Sequence, residues 1–282
     1  MQQSPPTATT RDTIVIEARR SLFDLEIRAV WQARELLYFL AWRDVAVRYK
    51  QTLMGASWAV VQPVSIIVIF TLVFGTLAKI PSEGLPYSIF ALAALLPWTF
   101  FAQATGRSAN SLVNNAGLIT KIYFPRVLLA VASIALPAVD FAISLLTLAG
   151  LMVWYRIAPS WGLLALPLFL LLAAITALAV GLFLSPINAR YRDVGHGLPF
   201  FIQLWMYASP VVYPASLVPE QWRLLYSLNP MVGVIDGFRW ALLATTAPNF
   251  TSLTASAAVI VCLFIGALVH FNRISRTSAD VI

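Results

Sequence analysis

The chain has 282 residues, of which 60% are hydrophobic and only 11% charged, with a net charge of +7 and a mean hydropathy of +0.80. An ordinary soluble domain carries roughly 25% charged residues, so this composition excludes one and indicates an integral membrane protein. The basic balance does not point to nucleic acid, because no basic patch with interleaved aromatics occurs away from the flanks of apolar runs.

Residues 1–20 include Arg11, Asp12, Glu17, Arg19 and Arg20 and lack the apolar stretch of a cleavable signal peptide. They read as a disordered cytoplasmic N-terminus. Over residues 21–50, Leu22, Leu25, Ala29, Ala33, Leu36, Leu37 and Leu40 recur at helical spacing opposite Asp24, Arg28, Arg34 and Arg43. That pattern predicts an amphipathic helix lying in the cytoplasmic interface. Arg48 and Lys50 then suit an anionic headgroup layer and Trp58 its boundary, after which the chain passes into hydrocarbon.

Crossing a bilayer takes about 20 apolar residues. Six segments within residues 51–282 meet or approach that length, at 58–78, 85–105, 127–154, 163–187, 198–214 and 253–271. The expected fold is therefore all-α with six transmembrane helices. With the N-terminus inside, fifteen Lys and Arg fall on the cytoplasmic side and four, Lys79, Arg156, Arg223 and Arg239, outside. The positive-inside rule thus predicts that both termini are cytoplasmic. The fifth segment is the least regular, interrupted by Pro199, Pro210 and Pro214, and the half-apolar stretch 215–252 after it reads as short re-entrant or gate helices.

Catalytic and energy-coupling motifs do not stand out. The phosphate-loop pattern G-x-x-x-x-G-K-[ST] is missing, and no Gly-Lys pair occurs, so any ATP must be bound by another protein. His196 and His270 are isolated and lack the spacing of a metal site, and Cys262 offers no disulfide framework. Asp140 is the single acidic residue deep in a predicted span, which makes it a candidate either for a cavity or for a hydrogen-bonded packing role. Asp236 and Arg239 have the i,i+3 spacing of a helical ion pair. Aromatic residues Trp98, Phe100, Phe101, Trp154, Tyr155, Tyr207, Tyr213, Trp222 and Tyr226 cluster toward the predicted outer half. Singly each fits an aromatic belt; as a group they suggest the lining of a conduit.

The pattern Arg43-Asp44, Arg48-Tyr49-Lys50, Thr52, Gly55, Trp58 and Pro63 resembles the start of the first span in permease subunits of type-2 ABC exporters for O-antigen, capsule or teichoic acid. The likeness extends through Asn115-Ala-Gly-Leu-Ile-Thr-Lys-Ile-Tyr-Phe-Pro-Arg126, Tyr191-Arg-Asp-Val194, Ser209-Pro-Val-Val-Tyr-Pro214 and Asn229-Pro230, and covers most of residues 35–270. Met54 stands where the family commonly has leucine. The resemblance implies a homodimer in the bacterial inner membrane, docked on two cytoplasmic ATPase subunits that bind ATP and magnesium, with no cofactor in this chain. It implies export of a lipid-linked polysaccharide through a channel at the dimer interface. It also implies ATPase coupling through loop 106–126, with Asn114, Asn115, Lys121 and Arg126 as contacts beside Arg43, Arg48 and Lys50. Arg190, Arg192 and Asp193 form a second cytoplasmic cluster suited to the ATPase or a lipid headgroup. Alternatives are a type-2 exporter of a drug or small lipid, a secondary transporter, which would ordinarily show inverted repeats or several membrane carboxylates, and an enzyme acting on lipid-linked sugars.

Overall fold

A computed structural model of the chain describes residues 31–50, 57–122, 124–245 and 247–277. Residues 1–30, which hold the expected N-terminal tail and the first third of the amphipathic helix, lie outside the described residues, as do Thr52 and Gly55 of the 43–63 motif. Every regular element among the described residues is helical. Helix α1 covers Arg34–Lys50. Helix α2 runs over Trp58–Phe70 and continues through a π-helical stretch, Thr71–Leu77. Helix α3 spans Tyr87–Ala109, and the short α4 (Ser111–Asn114) and α5 (Ala116–Ile119) follow. The third predicted span is two pieces, α6 (Val127–Ala132) and α7 (Ala135–Trp154). A 3-10 turn, Trp161–Ala165, leads into α8 (Leu166–Arg190). Then come α9 (Asp193–Tyr207), α10 (Glu220–Ser227), α11 (Pro230–Leu243) and α12 (Phe250–Thr277).

Prolines account for two of the interruptions. Pro137 has no N–H to offer the carbonyl of Ser133, so the helix breaks at Ser133–Ile134, between α6 and α7. The residue before a proline avoids the α region, and α9 ends at Tyr207, just ahead of Ser209-Pro210. Pro230 does the opposite and starts a helix, because at the first helical position its missing N–H goes unused. There the Asn229 side chain accepts from Met231 N–H at 3.1 Å and caps α11.

Among the described residues, five helical segments are long and apolar enough to cross a membrane: Val60–Leu77, Tyr87–Ala109, Val127–Trp154, Trp161–Arg190 and Phe250–Ile274. The expected sixth, 198–214, is not among them. Its helical part begins earlier, has 15 residues, and gives way to a turn at Ala208.

Helix α3 is the hub, packing against α2, α7, α8, α9 and α11. Within its most apolar window 78% of residues are buried, against 17% for the first and last spans, which makes these two peripheral. Leu92, Leu95, Leu96, Trp98 and Phe101 of α3 share one large core with Phe169 of α8 and Met231, Val234 and Phe238 of α11. A second core joins Leu40 of α1 to Leu129 of α6, Leu182 of α8 and Phe271 of α12. The leucine stripe of α1, with Leu36 and Leu37 beside Leu40, is thus spent on protein. Trp31, Tyr38, Phe39 and Trp42 remain exposed.

Lipid is as apolar as leucine, so burying hydrocarbon between membrane helices supplies little drive, and close backbone approach takes over. Gly181 shows it: an added Cβ would lie 2.3 Å from Ser108 Cβ, where α8 crosses α3. Overpacking of this kind costs about 1–3 kcal/mol. Gly181→Val should therefore lower the thermal unfolding midpoint of the purified permease, whereas Gly150→Val, at a site with nothing within 4 Å, should not.

Candidate functional site

Three polar assemblies interrupt the apolar bundle. The first joins α1 to the spans. Asp44 accepts from Arg43 Nη2 at 2.9 Å and from Arg107 Nη2, at the end of α3, at 3.2 Å. Arg43 Nη2 also donates to Asn115 Oδ1 at 3.0 Å, and Asn115 in turn donates to the Ser111 carbonyl at 2.9 Å. One turn further along α1, Tyr49 donates its hydroxyl to Asp140 Oδ1 at 2.6 Å, and Arg48 Nη2 lies 3.2 Å from Asp140 Oδ2. Asp140 is buried on α7 and borders a small recess with Gln62, Pro63, Thr99, Phe100 and Gln103. Burial, then the hydrogen bond to Asp140, push the Tyr49 hydroxyl up to about 12, so it keeps its proton and remains a donor.

Asn114, Asn115, Arg43, Arg48 and Asp140 are therefore brought to one corner of the molecule, although Arg48 and Asp140 are far apart in sequence. Asn114 is exposed at the end of α4. Lys121 and Arg126 border a separate shallow depression of about 260 Å³ with Ile119, Thr120, Ile122 and Phe124. Lys50 is exposed at the end of α1.

The second assembly closes the α8–α9 corner. Asn188 donates to the Ala109 carbonyl at 3.2 Å and to Asn110 Oδ1 at 3.0 Å, and accepts from Gly195 N–H at 2.8 Å. Arg190, Arg192 and Asp193 are exposed around it, with the Arg190 guanidinium over the Tyr191 ring at 5.4 Å.

The third assembly holds the proline-broken stretch after α9. Arg239, buried on α11, donates to three main-chain carbonyls: Val211 at 2.9 Å, Tyr213 at 3.3 Å and Phe90 at 3.4 Å. Its guanidinium carbon sits 3.6 Å from the Phe90 ring centroid. The expected close pairing with Asp236 does not form; the fork is taken instead by the carbonyls of Val211 and Tyr213 in the non-helical turn and by that of Phe90 in α3, more acceptors than one neighbouring carboxylate offers. Asn229 completes the clamp, accepting from Trp205 Nε1 at 2.9 Å and donating to Ser209 Oγ at 2.9 Å and the Ala208 carbonyl at 3.1 Å. Tyr226 donates to the Tyr213 hydroxyl at 3.2 Å, and burial pushes its own hydroxyl up. Asp236 and Arg239 border a cavity of about 270 Å³ with Glu83, Arg223 and Tyr226.

The aromatic set divides. Trp98, Phe100 and Phe101 are buried inside the chain's own core: Trp98 meets Phe101 and Trp205, and Phe100 stacks edgewise on Phe141. Their rings present no open face here. Tyr207, Trp222, Trp154 and Tyr155 are exposed, and Tyr213 and Tyr226 half-buried. Sequence reasoning passed over a further exposed face, Phe200, Phe201 and Leu204 on α9, whose i, i+1, i+4 spacing was available as a signal. Asn188, Asn229 and Arg107 were also missed as fasteners. His270 stacks on Phe183 at 4.3 Å, and no group of three or more metal-ligating side chains occurs among the described residues.

Residues 35–243 match the family model described as ABC-2 type transporter. Over 239 residues the chain is 28% identical to the O-antigen export system permease protein RfbA of Myxococcus xanthus, covering 84% of this chain and 91% of that one. It is 24% identical over 252 residues to an O-antigen export system permease protein RfbA of Klebsiella pneumoniae, covering 88% and 95%. With the polysialic acid transport protein KpsM of Escherichia coli the identity is 23% over 235 residues, covering 82% and 90%. A match over more than half the chain, together with several helices long and apolar enough to cross a bilayer, places this multi-pass membrane protein in the ABC-2 type transporter family, among its permeases.

Proposed function

We propose that the chain is the transmembrane subunit of an ATP-driven exporter that moves a lipid-linked polysaccharide of O-antigen, capsule or teichoic-acid type across the bacterial inner membrane. The observation that carries this reading is the near full-length similarity to O-antigen and polysialic acid permeases. The absence of a phosphate loop from the sequence supports a separate ATPase, in two copies, as the site of ATP and magnesium binding. Two subunits would enclose the path. The exposed apolar faces of α2 and α9 leave surface for that contact, and Tyr207, Trp222 and Tyr226 are candidates to meet the glycan.

In this reading both termini are cytoplasmic. Helix α9, about 22 Å long at 1.5 Å per residue, completes the sixth crossing with the turn after it, and α10 and α11 form the re-entrant gate. Asn114, Lys121 and Arg126 face the ATPase, and Arg190, Arg192 and Asp193 take the ATPase or a headgroup. The test is co-purification with the cognate ATPase and reconstitution into proteoliposomes. ATP hydrolysis that responds to lipid-linked glycan, with glycan transferred across the bilayer, is the expected result. Transport of a small ion by the permease without any ATPase would overturn the reading.

A further inference from the structure

The junction of α1 with the end of α3 encloses a cavity of about 170 Å³, bordered by Arg43, Asp44, Arg107, Ser111, Asn114 and Ser133 among others. Asp44 is its one acidic side chain and is shared by two guanidinium groups. One positive charge is thus left uncompensated by this carboxylate. Two donors there also lack acceptors: Arg107 Nε and the Ser111 hydroxyl are buried without a hydrogen-bond partner, and Ser111 is 3% exposed. The polar neighbours are engaged elsewhere: Ser133 donates to the Ala130 carbonyl, and Asn115 accepts from Arg43 and donates to the Ser111 carbonyl. A buried unsatisfied donor costs about 1–3 kcal/mol.

We propose that this cavity is a phosphate site. A phosphate oxyanion brings acceptors for Arg107 Nε and Ser111 Oγ together and neutralises the surplus charge, and a guanidinium edge matches two phosphate oxygens side by side. The volume equals that of about five to six waters in the liquid, enough for one tetrahedral oxyanion with a little solvent. Tyr38 and Trp42, residue types favoured at headgroup depth, stand exposed on α1 beside Arg43, with Phe39 exposed between them. An anionic lipid headgroup therefore reaches the cavity from the side, and free phosphate from solution. The lipid route rests on the interfacial placement of α1 expected from the sequence and on the cytoplasmic side given to its end of the chain in the proposed function. Occupancy ties α1 to the start of the loop assigned to ATPase coupling, so the bound anion regulates that contact.

The experiment titrates purified full-length permease at constant ionic strength with inorganic phosphate, dioctanoyl phosphatidylglycerol or dioctanoylglycerol, following the thermal unfolding midpoint. Phosphatidylglycerol is expected to raise the midpoint and dioctanoylglycerol is not. Arg107→Gln should weaken the apparent affinity at least tenfold. Ser111→Ala leaves both ion pairs to Asp44 intact and should weaken it several-fold. A shift with inorganic phosphate as well supports a site for any phosphate; a shift with phosphatidylglycerol alone supports a lipid site. The proposal is overturned if neither phosphate compound shifts the midpoint, or if both variants respond like the wild type. It is equally overturned if Arg107→Gln alters only the affinity for the ATPase subunit, which would assign the cavity to a protein carboxylate. Binding is read without ATP or export, so a failed export assay leaves this result standing, and the reverse holds too.

Discussion

Arg239→Met is expected to lower the stability of the permease by about 2–4 kcal/mol and to deplete the folded protein in membranes. Methionine fills similar space and spares the cost of burying a cation, which by itself would make the change mild. It cannot, however, replace the donors. The carbonyls of Val211, Tyr213 and Phe90 lose their contacts with the guanidinium, and an unsatisfied buried polar group costs about 1–3 kcal/mol each. Arg239→Lys should recover less than half of the loss, because a compact ammonium cannot serve three separated acceptors and also lie flat over Phe90. Thermal unfolding in detergent and quantitation of folded protein in membranes check both variants. A midpoint for Arg239→Met equal to that of the wild type would show that the turn after α9 needs no clamp.

Asp140→Ala is expected to cost about 2–3 kcal/mol and to abolish export. It strands the Tyr49 hydroxyl and removes the carboxylate beside the Arg48 guanidinium. Removing one partner of a fully buried pair costs about 3–5 kcal/mol, and the figure is reduced here because the Arg48 side chain is 34% exposed. Asp140→Asn separates fastening from charge. Its amide oxygen still accepts from Tyr49 while the ion pair is lost, so it should retain most of the stability. Wild-type export by Asp140→Asn would identify Asp140 as a fastener of α1 alone; loss of export with stability intact would give the charge a role in transport. A double-mutant cycle with Arg48→Met is expected to give a coupling of about 1 kcal/mol.

Hydropathy made the long spans readable, since four of the six expected segments correspond closely to helices and only their ends move. The third span reads as continuous because the apolar runs 127–132 and 135–139 on either side of the break mask it; its cause, the missing N–H of Pro137, is visible only to someone who asks what Ser133 bonds to. The fifth segment misled for a related reason. Its prolines are plain in the sequence, but hydropathy counts residues and not backbone donors, and the 208–214 turn survives because Asn229 and Arg239 reach it from later in the chain. Asp140 was conspicuous as a carboxylate in an apolar run, yet its partners lie 91 and 92 residues away at Tyr49 and Arg48. No local pattern joins them. Trp98, Phe100 and Phe101 illustrate the converse limit: composition locates rings along the chain but not whether they face a neighbour or open space.

The packing around α3 has a geometric consequence for anything that must cross. A close-packed interior at about crystal density leaves no tunnel wider than a water molecule, and here it is filled with interlocked rings from Trp98, Phe101, Phe141, Trp205 and Phe238. For the polymer of the proposed function, the middle of a single subunit therefore offers no route. In that reading it travels along an outer wall, and a single wall has only one side. Whatever supplies the opposite side would then set the bore, which could change without repacking a single residue of the core.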